Sequence, residues 1–210
     1  MMEIGGVIGG LYRTCEWITR VAFLGVLWIL FTILGLVIFG LFPSTVAMLA
    51  ITRKWIIGEK EISIFNTFFG VYKKEFLKSQ ILGIIMTGIG VILYVNILFT
   101  LTQEGFFLLK VLIVFFTIVY LITCPYLLTM FVHYELTFLE YFKNSLLIAI
   151  FNPVYSILTI VGIIPLLYLL GMFPVLFILY AVSLSGVWIT WISHRIFNKI
   201  VRKKEQLGGT

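Results

Sequence analysis

Three polar side chains interrupt long apolar stretches and are the first candidates for chemistry in this sequence: Asn96, Asn152 and Ser156. Amide and hydroxyl groups at such positions could line a path for a neutral solute. In membrane helices, however, they usually form hydrogen bonds between helices. No ionisable residue lies in the middle of an apolar stretch, where it would mark a proton or ion pathway. We therefore expect a structural role for these three residues and keep an intramembrane polar site as the alternative.

The patterns of common catalytic and metal sites are missing from the sequence. His133 and His194 stand apart from any second histidine or acidic cluster, so neither has the spacing of metal ligands. The chain also has no Walker phosphate loop, no nucleophile elbow and no HExxH pair. The sequence predicts a protein that is not an enzyme and that carries no metal and no cofactor.

The composition makes lipid the solvent of this chain. Its 210 residues are 61% hydrophobic and only 11% charged, and the mean hydropathy is +1.14. A soluble domain of this size could not bury so much apolar surface. We predict an all-α, polytopic membrane helix bundle that forms one integral membrane domain over residues 1–210. We attribute the net charge of +6 to membrane topology and not to a nucleic-acid partner, because basic residues of polytopic proteins collect in cytoplasmic loops.

Five apolar stretches are long enough to cross a bilayer. Between the first two lies an amphipathic segment at 62–78, and a tail at 194–210 follows the last. The predicted spans cover about 21–50, 80–101, 106–132, 146–170 and 172–193. The connections at 102–105 and around Gly171 are so short that the helices they join must be antiparallel neighbours.

Pro43 lies inside the first apolar stretch, which has no charge from Val21 to Thr52. As a helix this stretch is about 48 Å long, too long for one upright crossing of a hydrocarbon core of about 30 Å and too short for two. Proline removes a backbone hydrogen bond inside a helix, and Gly40 beside it eases bending. We expect one long first helix with a kink near 40–43.

Lysine and arginine set the expected orientation. With five crossings, Arg13, Arg20 and Lys110 lie on one side and the other twelve of the 15 basic residues lie on the other, cytoplasmic side. The tail at 1–20 is then outside and the carboxyl terminus is inside. A hairpin within the first stretch is rejected, because an even number of crossings would move the carboxyl-terminal tail to the exterior.

The amphipathic segment at 62–78 has aromatic residues on one helical face and lysines on the other. Lys73, Lys74 and Lys78 could hold anionic lipid headgroups, so anionic lipids are expected partners besides the bilayer itself. Packing of the aromatic face against other helices is an equally weighted alternative. Further along, Thr137 and Glu140 have the spacing of a capping box and predict the start of a second helix of this kind.

A ladder of charged residues precedes the first apolar stretch. Arg13, Glu16 and Arg20 lie three and four residues apart, so they share one helical face and predict ion pairs. Trp17 on the same turn is typical of the aromatic belt at a membrane surface.

Two longer stretches resemble the YesL-type family of small bacterial membrane proteins. The first is LYRTCEWITR with the apolar run that follows it and ends in GLFPSTVAMLAIT before RKW. The second is FNTFFGVYKKEFLKSQILG further on. The resemblance spans the chain and is strongest over residues 11–83. It directs attention to the motif residues Tyr12, Arg13, Glu16, Trp17, Arg20, Gly40, Pro43, Arg53, Lys54 and Trp55.

The family has no established activity, and the resemblance implies a bacterial cell membrane and a role near carbohydrate uptake. Our leading hypothesis is a non-enzymatic accessory protein of another membrane complex, with sugar-importer membrane subunits as partners. The first alternative is a small transporter or channel for a neutral solute, and the second is a scaffold or sensor that docks a cytoplasmic partner on residues 53–78. Assembly into a homo-oligomer is left open.

Overall fold

The computed structural model describes residues 7–59, 61–102 and 107–208, and all of the regular structure in these ranges is helical. Lys60, the first six residues and most of the predicted 102–105 connection lie outside the described residues. The helices are α1 (Val7–Leu34), α2 (Leu41–Ile56), α3 (Ile64–Thr102), α4 (Phe107–His133), α5 (Phe138–Phe151), α6 (Pro153–Gly171) and α7 (Pro174–Gly208).

Five of the described helices are long and apolar enough to cross a membrane, so the chain is a polytopic membrane helix bundle. These segments are Gly9–Leu34, Ile64–Thr100, Phe107–His133, Pro153–Gly171 and Pro174–Arg202. α2 has 16 residues and is about 24 Å long, which is shorter than the hydrocarbon core.

The expected single helix with a kink at Pro43 is corrected by the structure. α1 ends at Leu34, the chain turns over residues 35–40, and α2 runs back along α1. The indole N–H of Trp28 donates to the hydroxyl of Thr45 at 3.0 Å. In one continuous helix these two residues would lie about 25 Å apart. Pro43 lies in the first turn of α2, where its missing N–H would have no helical partner anyway.

Glycine makes this reversal possible. A side chain on Gly35 would overlap the backbone of Gly40, and one on Gly40 would overlap the carbonyl oxygen of Thr32. Between them, Leu36 and Val37 adopt left-handed φ angles of 57° and 63°, which are uncommon for residues with large side chains. The two arms therefore pack closely, and Leu24, Leu27 and Phe31 of α1 share one apolar core with α2.

The amphipathic segment predicted at 62–78 is the first part of α3 and not a separate helix. α3 has 39 residues and is about 58 Å long, about twice the thickness of the hydrocarbon core. Its aromatic residues pack on α1: the rings of Phe68 and Tyr72 lie 5.1 and 5.0 Å from the ring of Phe31. Packing against other helices therefore accounts for most of this aromatic stripe.

The predicted capping box at the start of α5 is present. The Glu140 carboxylate accepts hydrogen bonds from the backbone N–H of Thr137 at 2.9 Å and from its hydroxyl at 2.8 Å. These bonds favour the charged form and hold the pKa of the Glu140 carboxyl below its ordinary value. α5 ends at Phe151, and Pro153 begins α6, so the span predicted at 146–170 is divided at Asn152.

α7 packs through the centre of the bundle. It runs beside α2 in the same direction, since Gly186 contacts Met48 and Thr190 bonds to Thr52. It runs antiparallel to α6, and the indole of Trp188 donates to the carbonyl of Leu158 at 3.3 Å, as expected for a short connection near Gly171. The predicted tail at 194–210 continues α7 as far as Gly208.

These directions place the start of α1 and the end of α7 at the same end of the bundle. Arg13 and Arg20 lie beside Trp55, and the neighbouring Arg53 bonds to Val132, next to His133, whose ring lies 6.2 Å from His194. This geometry disagrees with the expectation that the two termini lie on opposite sides. The end of the bundle marked by these residues is called the basic end below. Lys110 lies in the first turn of α4, at the opposite end.

Gly25 tests the close packing of α1 on α7. A methyl group there would overlap the backbone carbonyl oxygen of Leu179, whereas one on Gly10 meets nothing within 4 Å. Because the backbone of α7 would have to move to make space, we expect Gly25→Ala to lower the free energy of unfolding by about 1–3 kcal/mol. Gly10→Ala should leave it unchanged or slightly raised. Thermal unfolding in detergent compares the two, and equal effects would contradict the α1–α7 contact.

Candidate functional site

Two cavities lie at the basic end, on different sides of α2. The first, called the α1 cavity, has a volume of about 490 Å³ and is bounded by α1, the end of α2 and the connection to α3. Its lining residues are Arg13, Glu16, Trp17, Arg20, Trp55 and Glu61. Five of these six are residues that the family resemblance singled out. The hairpin therefore brings two separate motifs of the sequence to one place.

The α1 cavity contains one tight ion pair. Arg13, Glu16, Trp17 and Arg20 lie on one face of α1, and the guanidinium of Arg20 pairs with the carboxylate of Glu16 at 2.5 Å. The indole N–H of Trp55 is buried and has no hydrogen-bond partner among the described residues. Such a donor in a polar cavity is available to a ligand.

The second cavity, called the α2–α4 cavity, has a volume of about 620 Å³ and lies between α2, α3 and the connection that follows α4. Its charged lining consists of Arg53, Lys54, Lys74 and Lys78 with Glu59, Glu75 and Glu135. Two ion pairs join members of this set, Lys54 to Glu59 and Lys74 to Glu75, both at 3.6 Å. Exposed pairs of this kind contribute little to stability, so these charges are available to a partner.

Arg53 and His133 also line the α2–α4 cavity, and each is held by a hydrogen bond to a backbone carbonyl group of α4. The guanidinium of Arg53 donates to the carbonyl of Val132 at 3.0 Å and ties α2 to α4. His133 donates from Nδ1 to the carbonyl of Thr129 at 2.9 Å, because a carbonyl can only accept. The Nε of Arg53 and the Nε2 of His133 are buried without a partner among the described residues.

A layer of buried hydroxyl groups lies next to these two residues, and the sequence reasoning missed it. Thr52 bonds to Thr190 at 3.0 Å, and Thr129 donates to Ser193 at 2.9 Å; all four side chains are fully buried. In lipid, such bonds hold helices together where apolar contacts alone discriminate poorly. The signal was present on α7, where Gly186, Thr190 and Ser193 recur at helical spacing.

The other predicted motif and lipid-headgroup residues are spread over the bundle. Tyr12 does not line the α1 cavity, and 65% of its surface is exposed. Gly40 and Pro43 lie at the α1–α2 turn, line neither cavity and serve the reversal of the chain. Lys73 is exposed on α3 beside Lys74 and Lys78, in a position that suits lipid headgroups.

The structure does not bring the three intramembrane polar residues together. Asn96 is exposed on α3 and donates to the carbonyl of Ile92 in its own helix. Asn152 forms the junction of α5 and α6, and its amide donates to the carbonyl of Ile148. Ser156 is buried and donates to the carbonyl of Ala149. The two asparagines thus complete local backbone bonding, and Ser156 also contacts the hydroxyl of Tyr126 on α4 at 3.4 Å. The three side chains do not line a common path for a solute.

Comparison with known proteins supports the family resemblance. A model of a family described as "Protein of unknown function, DUF624" matches residues 21–97. Three uncharacterised proteins of Bacillus subtilis (strain 168) match over nearly their whole lengths. YteU is 35% identical (99% of this chain and 92% of YteU), YesV 34% (96% and 98%) and YesL 32% (98% and 98%). The chain belongs to the YesL-like family. No solved structure matches it.

The DUF624 match covers part of the lining of each cavity. It includes the apolar part of α1, the whole of α2 and most of α3. The charged ladder, which supplies four of the six residues lining the α1 cavity, falls outside the match, as do the end of α3 and the residues from α4 onward. The family model is therefore centred on the hairpin and on the helix that packs against it.

Arg53 and Lys54 are adjacent, and the structure predicts different roles for them. Arg53→Gln loses a charged hydrogen bond between α2 and α4 and should lower the free energy of unfolding by about 1.5–3 kcal/mol. Lys54→Gln loses only a half-exposed ion pair and should cost less than about 1 kcal/mol. Denaturation in mild detergent measures both. A Lys54→Gln loss as large as that of Arg53→Gln would refute the assigned role of Arg53.

Proposed function

We propose that the protein is a non-enzymatic accessory protein of the membrane, which associates with another membrane complex through its basic end. One observation carries the proposal: the α2–α4 cavity, with a volume of about 620 Å³, opens where the basic residues of the described chain gather. Its walls come from α2, α3, the end of α4, the start of α5 and the connection between these last two, so a bound partner would contact helices of the bundle as well as this connection.

The lining of the α2–α4 cavity suits a protein partner. Arginine and aromatic side chains dominate the energetics of protein interfaces, and the cavity offers Arg53 together with Tyr134 and Phe138. Lys78 forms no ion pair with a described residue and provides an exposed positive charge at the rim. An acidic segment of a partner would complement this rim. Apart from Val46 and Ala50, the residues that line this surface lie within 53–78, the region expected to dock a cytoplasmic partner, and 131–141.

We propose that the basic end faces the cytoplasm. Lysine and arginine accumulate on the cytoplasmic side of polytopic proteins, and the hairpin adds Arg13 and Arg20 to this end. Both termini are then cytoplasmic, in place of the external amino terminus expected from the sequence. The proposed partner would therefore reach the α2–α4 cavity from inside the cell.

The proposal that the partner is a carbohydrate importer rests on the family resemblance alone. No contact among the described residues favours a sugar-importer subunit over another membrane complex. The experiment below identifies the partner without assuming its class.

Charge reversal at the two ends of the bundle tests the proposal. Lys78→Glu places a negative charge at the rim of the α2–α4 cavity, and Lys110→Glu makes the same change at the opposite end. Tagged variants are purified from native membranes in mild detergent, and co-purifying proteins are quantified by mass spectrometry. We expect Lys78→Glu to reduce recovery of the partner by about tenfold, while Lys110→Glu leaves it unchanged.

Two results would contradict the proposal. The first is recovery of the wild-type protein without a stoichiometric partner. The second is the same loss of partner in both variants, which would show that charge at the basic end does not select it.

A further inference from the structure

We propose that the α1 cavity binds the headgroup of a zwitterionic phospholipid that carries a phosphate and a primary ammonium, as phosphatidylethanolamine does. The inference is independent of the proposed partner, because it concerns the opposite side of α2. It rests on the depth of the cavity in the membrane, its balance of charge and its unpartnered groups.

The α1 cavity lies at the boundary between polar and apolar chain. Trp17 and Arg20 occupy the turn of α1 just before Val21, where the uncharged stretch of the sequence begins. Trp55 lies just after Thr52, where the same stretch ends. Tryptophan and arginine at such a boundary lie at the level of lipid headgroups. The cavity therefore lies at the depth of the lipid headgroups, which favours a headgroup as its ligand over a solute dissolved in the cytoplasm.

The charges of the described residues that line the cavity sum to zero and remain partly separate. Arg20 and Glu16 form an ion pair. Arg13 and Glu61 form no ion pair with a described residue, so one cation and one carboxylate remain available on opposite walls, α1 and the connection before α3. This arrangement complements a zwitterion. A purely anionic headgroup would gain from Arg13 but would be repelled by Glu61.

The aromatic residues supply the remaining contacts. The buried N–H of Trp55 has no acceptor among the described residues and can donate to a phosphate oxygen, together with the guanidinium of Arg13. Trp17 is 45% exposed and presents a ring face to which an ammonium group is attracted. The volume of about 490 Å³ is in the range of small-molecule sites. Phosphate and ammonium thus each have a charged and an aromatic partner.

This site differs from the lysines on α3. Lys73 and Lys78 form no ion pair with a described carboxylate and present exposed positive charge, which attracts anionic lipids without regard to headgroup shape. Among the described residues, the lining of the α1 cavity has equal numbers of cations and carboxylates, so a ligand is selected by the chemistry of its headgroup and not by net charge alone.

Native mass spectrometry of the purified full chain tests the inference. The protein is titrated in detergent with phosphatidylethanolamine, phosphatidylcholine and phosphatidylglycerol of identical acyl chains. We expect phosphatidylethanolamine to bind about tenfold more tightly than the other two, since only it offers both a phosphate and N–H donors for Glu61. Arg13→Gln and Glu61→Gln should each remove this preference, and Lys73→Gln should retain it.

Thermal unfolding of each variant verifies that it is folded, and Trp17→Leu gives a second, uncharged perturbation that should also remove the preference. Soluble phosphoethanolamine is added as a competitor to separate a lipid from a free ligand. Complete displacement of the lipid at equimolar competitor would overturn the lipid assignment. Equal binding of phosphatidylglycerol, or an unchanged preference in folded Arg13→Gln and Glu61→Gln variants, would overturn the site.

Discussion

Gly35 lies so close to Gly40 that it has no space for a side chain, and Gly40 lies equally close to the backbone of α1 at Thr32. These two close approaches allow α2 to fold back along α1. The rest of the bundle depends on that reversal. It returns the chain to the end at which it began, so Trp55 meets Trp17 and Arg53 reaches α4. Without it, the charged ladder of α1 and the RKW motif would lie at opposite ends of one long helix, and neither cavity would exist.

Hydroxyl groups hold the short arm of the hairpin in place. Apolar contacts between helices are not favoured over contacts with lipid, so small residues and buried hydrogen bonds must specify the packing. Thr52 and Thr129 form such bonds to two residues of α7, one turn apart. The side chain of Arg53 adds a third link, between α2 and α4. α2 is therefore fixed on two sides at the level of the α2–α4 cavity.

Hydropathy was enough to predict the all-α bundle, five long apolar segments and the short connection near Gly171. The spacing of Thr137 and Glu140 was enough to predict the capping box at the start of α5. The family was recognisable from the motifs around Trp17 and Trp55, but their meeting in space was not, because it depends on a turn in which Leu36 and Val37 adopt left-handed φ angles without glycine. The predicted kink at Pro43 was wrong, because the sequence does not distinguish a proline in the first turn of a helix from a proline that kinks one. The charge count also assumed one crossing for the stretch 21–52, although a hairpin gathers more basic residues at one end.

The separation of the two ends of the α1–α2 hairpin tests this structure most directly. Cys15 is a native, exposed cysteine on α1, and Ile57 is an exposed residue just after α2. Spin labels at Cys15 and at Ile57→Cys, in a Cys124→Ala background, allow the distance to be measured by pulsed electron resonance. A hairpin places the labels within about 30 Å, the spacing of packed helices plus two label arms. A distance above about 50 Å, as in a single long helix, would contradict it.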